Sequence, residues 1–465
     1  MTRPRSTTVC ACALGLSVCG WLPAQDELHP IPAVPSIEQF EYVPTEETVR
    51  EPYASAENKL IFTQPSSIPP EPERLDNQVA PHYSLDELEA LSIANNPALA
   101  ESLSIIDAAR GVRWQAGLPP NPTVGYVANE VGNQGSPGQH GAYLGQQIIR
   151  GGKLQLSRAV AGQEVQRLVS EYEVLRQRVL TDVRSTFYDV YWLQRRKDLL
   201  EQFLETNRRA MTIARQLNDA GDNTKSDVLL AEIEFEQTST ELAALSANYE
   251  AKWRELTRVV GLPQMAVAPL SAEVTEVPEL SWEAALAMLR QSPRLAAGHA
   301  ELARNQMALK RAQAEPTPNL NAQVSVQYDF ASNDTFAGVQ IGMPIPTRNR
   351  NQGGIYEANA NVRAAMQKID RIQMLVEKQL AVKYGAYQNA QKRLERISVR
   401  IVPKAEEVVR IALEAYEAGE LGMADVLNAQ RSLLKAVLGE LDARQQLRTS
   451  HVEIEGYLLA DGLGD

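Results

Sequence analysis

Residues 220–231 read Ala-Gly-Asp-Asn-Thr-Lys-Ser-Asp-Val-Leu-Leu-Ala, and residues 418–429 read Ala-Gly-Glu-Leu-Gly-Met-Ala-Asp-Val-Leu-Asn-Ala. Six of the twelve positions are identical at a constant offset of 198 residues, and the same offset relates Pro120-Asn121 to Pro318-Asn319. Repetition at a fixed spacing indicates two copies of one structural unit. Each unit, roughly 180 residues long, is predicted to contain a helix, a strand pair, a very long helix, a tight turn and a second long helix.

The glycine and the second aspartate of each copy are expected to have structural roles. Gly221 and Gly419 are predicted to end a long helix as C-cap residues with positive φ. Asp227 and Asp425 stand at the start of the returning helix, where a carboxylate can accept hydrogen bonds from unpaired N–H groups and oppose the positive end of the helix dipole. The residues between them differ between the copies, so a binding role is expected at Asp222, Thr224 and Lys225 in the first turn and at Glu420, Leu421 and Met423 in the second.

The helices that lead into these turns are predicted to be unusually long. Apolar residues step alternately by four and three through residues 161–179 and 358–376, which is the pattern of a coiled-coil seam. Residues 153–219 contain no proline, and a continuous helix there would be about 100 Å long at about 1.5 Å per residue. The corresponding helix of the second unit contains Pro403, where a kink or a break is expected.

A strand pair is predicted before each long helix, and the clearest strand covers residues 320–330. Apolar and polar residues alternate strictly along it, and its length suits a tilted transmembrane strand of about 9–11 residues. Its apolar side chains would face lipid: Leu320, Ala322, Val324, Val326, Tyr328 and Phe330. The alternative is a pair of ordinary hairpins in a soluble domain. Residues 339–345 alternate again, and residues 124–131 and 143–149 form a weaker copy in the first unit.

The first residues of the chain have the pattern of a secretory signal. Basic residues near the start precede an apolar run at residues 9–22 and the small residue Ala24, so residues 1–24 are interpreted as a signal peptide. All three cysteines lie in this segment. Alternatively, residues 16–19 match part of a bacterial lipoprotein signal, which would make Cys19 the lipidated first residue of the mature chain.

The remaining boundaries follow from composition and from the repeat. Residues 25–82 hold ten prolines and eleven acidic residues against three basic ones, which indicates an extended arm or linker. The two repeats are assigned to residues 83–262 and 281–460. Residues 263–280 form the linker between them, and residues 461–465 form a tail.

Composition and motifs exclude several classes of function. The net charge is −12, and no basic stripe interleaved with aromatic residues occurs, which argues against nucleic-acid binding. The five histidines have no metal-ligand spacing, and neither a phosphate-binding loop nor a nucleophile elbow is found. The sequence therefore predicts a protein that is not an enzyme and has neither a cofactor nor a metal site.

The repeated Ala-Gly-x5-Asp-Val-Leu-x-Ala turn, together with the strand pairs and long helices, resembles the TolC-like outer-membrane efflux family over about residues 83–460. Within that family the chain is most similar to the CzcC-type heavy-metal group. The residues that carry this similarity are Leu-Pro-Pro-Asn-Pro at 118–122, Asn-Glu at 129–130, Gln-Ile-Ile-Arg-Gly-Gly-Lys at 147–153 and Pro-Ile-Pro-Thr-Arg-Asn-Arg-Asn-Gln-Gly at 344–353. Thr347-Arg348 stands where that group usually has an apolar pair.

The resemblance implies a homotrimer in the bacterial outer membrane. Three chains of four strands would close a twelve-stranded β-barrel, and their helices would form a tunnel in the periplasm. The two turns would contact a periplasmic adaptor protein that links the channel to an inner-membrane pump, expected to be of the RND type, and acidic Asp222 and Glu420 would lie near the mouth. The implied function is export of heavy-metal cations. The alternatives are a duct for drugs or proteins, a periplasmic coiled-coil adaptor, or a structural protein.

Overall fold

The computed structural model describes residues 82–220, 224–272 and 277–459. The predicted signal peptide, the lipidation site Cys19, most of the arm at residues 25–82 and the tail at 461–465 lie outside the described residues, as do Gly221 and Asp222. None of the described helices is both long and apolar enough to cross a membrane.

Each repeat opens with two helices, not with the single helix that the sequence predicts. α1 (Leu85–Asn95) is followed by α2 (Pro97–Ala116), and α5 (Trp282–Leu289) is followed by α6 (Pro293–Ala314). Proline has no N–H group and occupies the first turn of a new helix well, and in the first repeat the Asn96 side chain accepts a hydrogen bond from the N–H of Ala98. The Asn-Pro and Ser-Pro pairs therefore mark a new helix start in both repeats.

The helix α1 begins with a capping box formed by Ser84 and Glu87. The Glu87 N–H donates to Ser84 Oγ at 3.3 Å, and the Ser84 N–H donates to Glu87 Oε2 at 3.0 Å. This cap follows β1 (Tyr83–Ser84), which pairs in parallel with β4 (Leu270–Ser271) from the predicted linker. The start of the first repeat is thus joined to the segment that leads into the second.

Four longer strands form one antiparallel sheet that both repeats share. They are β2 (Thr123–Asn129), β3 (Gln139–Ile148), β5 (Leu320–Asp329) and β6 (Asp334–Gly342), in the spatial order β2-β3-β5-β6. The two hairpins join through the ten-residue pairing of β3 with β5. β3 begins four residues before the predicted start of its strand, because this pairing continues to its first residue. Phe330 follows the end of β5, and its N–H donates to the carbonyl of Gly138.

Each hairpin leads into a long helix that returns after a tight turn. α3 (Lys153–Ala220) is one continuous helix of 68 residues, as predicted, and α4 (Lys225–Val260) returns alongside it. In the second repeat, α7 (Gln352–Arg396) passes through a π-helical turn at Ile397–Ile401 into α8 (Val402–Glu417), and α9 (Met423–Glu455) returns. The break predicted at Pro403 therefore begins six residues earlier. The wider π turn accommodates the backbone ahead of a proline, which cannot donate the next helical hydrogen bond.

The core lies between the helices, well away from the sheet. Its largest cluster includes Phe187 of α3, Leu256 of α4 and Leu441 of α9, all fully buried. A second cluster surrounds Leu380 and Tyr387 of α7 and is specific to the second repeat. Side chains at the helix seams thus provide the packing that holds the long helices together.

Candidate functional sites: the apolar sheet face and the paired turns

One face of the four-stranded sheet carries apolar side chains that no other part of the described chain covers. Directly opposed residues in antiparallel strands point to the same side, and the register aligns Val124, Leu144, Val324 and Val339 in one row across all four strands. Each of the four is at least half exposed, and Val124 reaches 77%. The next row aligns Tyr126, Ala142, Val326 and Ala337.

The residues of β5 that the sequence predicts to face lipid lie on this face or beside its end. Val324, Val326 and Tyr328 are exposed strand residues on the apolar side, and Leu320 is half buried at the start of the strand. Phe330 is exposed just after the strand and contacts the ring of Tyr328 edge to face, with centroids 5.0 Å apart. The sequence analysis assigns lipid-facing residues in β5 alone, although it also predicts alternation at residues 339–345 and a weaker copy at 124–131; β2 and β6 are shorter than β5 and contain glycine. The alternation of β5 repeats in its neighbours once the register is known.

The opposite face of the sheet is mainly polar and more closely packed, although Val127, Tyr143 and Phe336 also lie on it. Gln327 is 7% exposed, and its Oε1 accepts a hydrogen bond of 2.8 Å from Asn129 Nδ2. Gly141 allows this close approach, because a Cβ atom there would lie 2.0 Å from the carbonyl oxygen of Val326. The sheet therefore has one apolar side and one mainly polar side, and the alternation in β5 predicts this difference.

An aromatic cluster marks the hairpin end of the apolar face. The His140 ring stacks on Tyr126 at 5.9 Å between centroids and contacts Phe330 edge to face at 5.5 Å. Its Nδ1 contacts the Tyr126 hydroxyl, and its Nε2 lies 2.7 Å from the carbonyl oxygen of Pro137. Nε2 can donate to the Pro137 carbonyl, and Nδ1 can share a hydrogen bond with the Tyr126 hydroxyl. Both ring nitrogens of His140 thus have partners within the chain.

The first turn re-enters a helix through a complete capping box. The Asp227 N–H donates to Thr224 Oγ1 at 3.3 Å, and the Thr224 N–H donates to Asp227 Oδ2 at 3.4 Å. Thr224 is therefore the N-cap of α4, and Asp227 occupies the third helical position, where its carboxylate also opposes the helix dipole. This agrees with the capping role predicted for Asp227, and it commits the Thr224 side chain to the turn itself. The Lys225 side chain is exposed.

The second turn uses the same carboxylate without a side chain at the N-cap. Asp425 Oδ2 accepts a hydrogen bond of 3.3 Å from the Gly422 N–H. Gly419 has φ +76°, which agrees with the prediction of a C-cap glycine, and the N–H of Glu420 donates to the carbonyl of Ala415 at 2.8 Å. Glu420 and Leu421 are left at the exposed tip, where Leu421 is 39% exposed.

The two turns pack against each other through Met423, which corrects its expected role. Met423 was expected to be available to a partner, but it is only 1% exposed. It belongs to a buried cluster with Ala214 of α3, Ala231 of α4 and Leu427 of α9. Because this cluster joins the ends of both helical hairpins, Met423 holds the turns side by side.

Charged and ionisable groups near the turns also link the two repeats. The Arg431 guanidinium of α9 forms an ion pair with the largely buried Glu234 of α4. Burial, and secondarily the negative charge of Asp227, raise the pKa of the Tyr416 hydroxyl. Tyr416 lies in the second hairpin and Asp227 in the first, so their coupling reflects the close approach of the two turns.

An apolar groove on α4 beside the turns was not identified from the sequence. The groove has a volume of about 680 Å³, and its lining includes the exposed side chains of Leu229 and Ile233 together with Glu232 and Glu236. The four-residue spacing of Leu229 and Ile233 was a usable signal, since it places both on one face of a helix. Within the described ranges, no group of three or more His, Cys, Asp or Glu residues could hold a metal ion.

Comparisons with known proteins agree on the architecture. The family model described as outer membrane efflux protein matches residues 89–262 and 286–458. The cobalt-zinc-cadmium resistance protein CzcC of Cupriavidus metallidurans is 25% identical over 388 residues, which are 82% of this chain and 91% of that protein. The outer-membrane channel OprN superposes with a TM-score of 0.67 at 18% identity, covering 81% of this chain and 90% of that one. For CusC the TM-score is also 0.67, at 14% identity, covering 86% and 99% respectively.

Proposed function

Because the chain belongs to the outer membrane efflux protein family, we propose that it is the trimeric channel of a three-part efflux system that exports heavy-metal cations. Membership places the chain in the bacterial outer membrane, in a family of transport components rather than enzymes. The observation that carries the proposal is the exposed apolar face of a sheet whose other face is mainly polar. Lipid on one side and an aqueous lumen on the other require this arrangement.

The state of assembly follows from the edges of the sheet. Within the described residues, β2 and β6 each have one side with no strand partner. Open edges are not tolerated in lipid, because every unpaired N–H and C=O group there costs several kcal/mol. Four strands are too few to close a barrel, whereas three copies would give the twelve strands that the family resemblance implies. Exposed apolar residues on α8, such as Val408 and Ile411, offer further surface for contacts between copies.

We propose that the paired turns contact a periplasmic adaptor, which connects the channel to an inner-membrane pump of the RND type. The support is their position at the far end of the long helices from the sheet and the exposure of Lys225, Glu420 and Leu421. Asp222 belongs to the proposed surface by its place in the sequence. Gly221, Gly419, Thr224, Asp227 and Asp425 would shape the turns, and Met423 would fix their spacing.

The cargo is proposed from the similarity to a cobalt-zinc-cadmium resistance protein and from the motifs at residues 118–122 and 344–353. A duct for drugs or proteins is the second candidate. The discriminating test is cellular resistance: deletion of the gene should sensitise cells to cobalt, zinc or cadmium salts. Sensitivity to hydrophobic drugs with unchanged metal tolerance would favour the second candidate.

A substitution at the exposed tip tests the docking surface. Leu421→Asp is expected to leave the trimer intact in detergent and to abolish both export and cross-linking to the adaptor, because it places a charge in an apolar contact. Leu103→Asp is the matched control, since Leu103 is also an exposed helix leucine and lies on α2, far from the turns. Normal export by the Leu421→Asp trimer would move the docking surface elsewhere. A water-soluble monomer obtained without detergent would contradict the channel itself.

Delivery to the outer membrane is proposed to begin with the signal peptide at residues 1–24. Cleavage after Ala24 and cleavage before a lipidated Cys19 give mature chains of different mass. Intact-mass measurement distinguishes them, and a mass that includes the first eighteen residues would exclude both.

A further inference from the structure

Positive charge is confined to one end of the apolar sheet. Residues 123–149 and 320–346 contain neither Lys nor Arg, whereas Arg150, Arg348 and Arg350 follow immediately where the chain leaves the sheet for the long helices. We call these three residues the arginine rim. The opposite, hairpin end carries Glu130, and Asp329 and Asp334 lie at the ends of β5 and β6. The sheet therefore has a marked difference in charge between its two ends.

The arginine rim is available to a ligand. All three side chains are exposed, and no Asp or Glu of the described residues forms an ion pair with any of them. The structure records one side-chain hydrogen bond for the rim, from Arg350 Nε to the Pro346 carbonyl at 3.3 Å. Ile148 and Ile345 lie beside the rim and are themselves exposed, so the apolar surface continues up to the charged groups.

A cleft opens next to Arg348. Its volume is about 570 Å³, and its lining includes Lys153, Asn319 and Glu315. The buried Lys153 ammonium donates to Asn319 Oδ1 at 3.2 Å and lies 3.6 Å from Glu315 Oε1. Glu315 also forms an ion pair with Arg311, so this one carboxylate already faces two cations. The cleft thus keeps a net positive charge near Arg348.

The helices that start here add to the same field. α3 and α7, the two longest helices of the described chain, begin at this end of the sheet and have no acidic residue in their first turns. The N-terminus of a helix carries the equivalent of about half a positive charge from its aligned peptide dipoles. The N-termini of both helices and the arginine rim therefore all favour an anion at the end of the sheet where the long helices begin.

We propose that the arginine rim binds the phosphate groups of phospholipids in the leaflet that faces the helices, while the apolar face of the sheet holds their acyl chains. This inference rests on the proposed function, because it requires the sheet to lie in the membrane. Arginine suits the role, since its planar guanidinium donates two parallel hydrogen bonds to one phosphate and stays charged at every physiological pH.

The test compares lipids retained by the purified channel. Detergent-solubilised wild type is mixed with phosphatidylglycerol or with diacylglycerol, which has the same chains and no phosphate, and bound lipid is counted by native mass spectrometry. Wild type is expected to retain phosphatidylglycerol, with an apparent affinity about five-fold weaker for each arginine replaced by glutamine. The matched control replaces three exposed arginines of the α7 to π-turn region, Arg393, Arg396 and Arg400, and is expected to bind lipid as wild type does.

Three outcomes would overturn the inference. The first is equal phosphatidylglycerol retention by wild type and by the rim variant, in which Arg150, Arg348 and Arg350 are all replaced by glutamine. The second is equal weakening by the Arg393, Arg396 and Arg400 control. The third is full displacement of phosphatidylglycerol by glycerol phosphate at the same concentration, which would indicate a site for soluble phosphate. Conductance in planar bilayers separates this inference from the proposed function. If any of the three outcomes is found while the proteins still form conducting channels, the lipid inference is wrong and the proposed function stands. If the wild type forms no channels, the proposed function itself is contradicted.

Discussion

The packing of Met423 between the two turns leads to a quantitative prediction. Met423→Ala removes most of a side chain that is 1% exposed and enclosed by residues from α3, α4 and α9. Replacing a buried methionine by alanine costs about 2–5 kcal/mol, depending on how far the surroundings can collapse. The ends of the hairpins are free on one side, so the neighbours can relax, and we expect the lower part of that range, about 2–3 kcal/mol.

This loss should be local, because most of the main helix core lies farther along the rods, although that core extends to Val426 and Ala429 of α9. Hydrogen exchange followed by mass spectrometry on the detergent-solubilised protein should show faster exchange in the last turns of α3 and the first turns of α4 and α9. Leu421→Ala is the control, since Leu421 is 39% exposed and lies outside the cluster, and it should change exchange little. The reasoning is refuted if Met423→Ala leaves exchange around Ala231 and Leu427 unchanged, or if both variants accelerate it equally.

Three further predictions concern the sheet, the second turn and the helix contacts. Val324→Arg should lower the free energy of unfolding in lipid vesicles by about 2–4 kcal/mol if Val324 lies near the bilayer centre. Ser325→Arg, on the opposite face, should have a much smaller effect. Equal losses of stability in denaturant titrations would contradict the two-sided sheet. Gly419→Ala should cost about 1 kcal/mol, because φ is +76° while the added Cβ meets no atom within 4 Å; an unchanged thermal midpoint would count against the left-handed conformation. A hydrogen bond from Arg167 lowers the pKa of Glu164, so this carboxylate stabilises the fold above the unfolded pKa of about 4.3 and the contribution is lost as pH falls through the lower folded value. Glu164→Gln should therefore lower the free energy of unfolding at pH 7 by about 1 kcal/mol or less, with little effect at pH 3. Thermal melts at the two pH values check this, and an equal loss at both would exclude this account.

The sequence predicted the elements that are marked by a regular spacing of apolar residues over many consecutive positions. The 68-residue α3 follows from a coiled-coil spacing and the absence of proline, and β5 follows from strict alternation. The single opening helix was wrong, although the signal was present. Asn96-Pro97 combines an N-cap residue with the residue best suited to the first helical position, which indicates a new helix as readily as an interrupted one.

The arrangement of the turns could be predicted only in part. The capping roles of Asp227 and Asp425 depend on residues three positions away, so the sequence contains them. The burial of Met423 depends on Ala214 and Ala231, which lie about 200 residues earlier in the chain. A turn sequence does not show which of its faces will meet a second hairpin, and this is why an apolar side chain at the tip was interpreted as a contact for a partner.

The even number of strands in the sheet has a consequence for how copies can join. All three pairings in the sheet are antiparallel, so its two outer strands, β2 and β6, run in opposite directions. When β6 of one copy meets β2 of the next around a common axis, that seam is antiparallel as well, and it repeats the hydrogen-bond pattern found within each chain. An odd number of strands per chain would instead place a parallel seam between every pair of copies. Because strand direction alternates within each chain, identical chains can close a ring in which every strand pairing, within and between chains, is antiparallel.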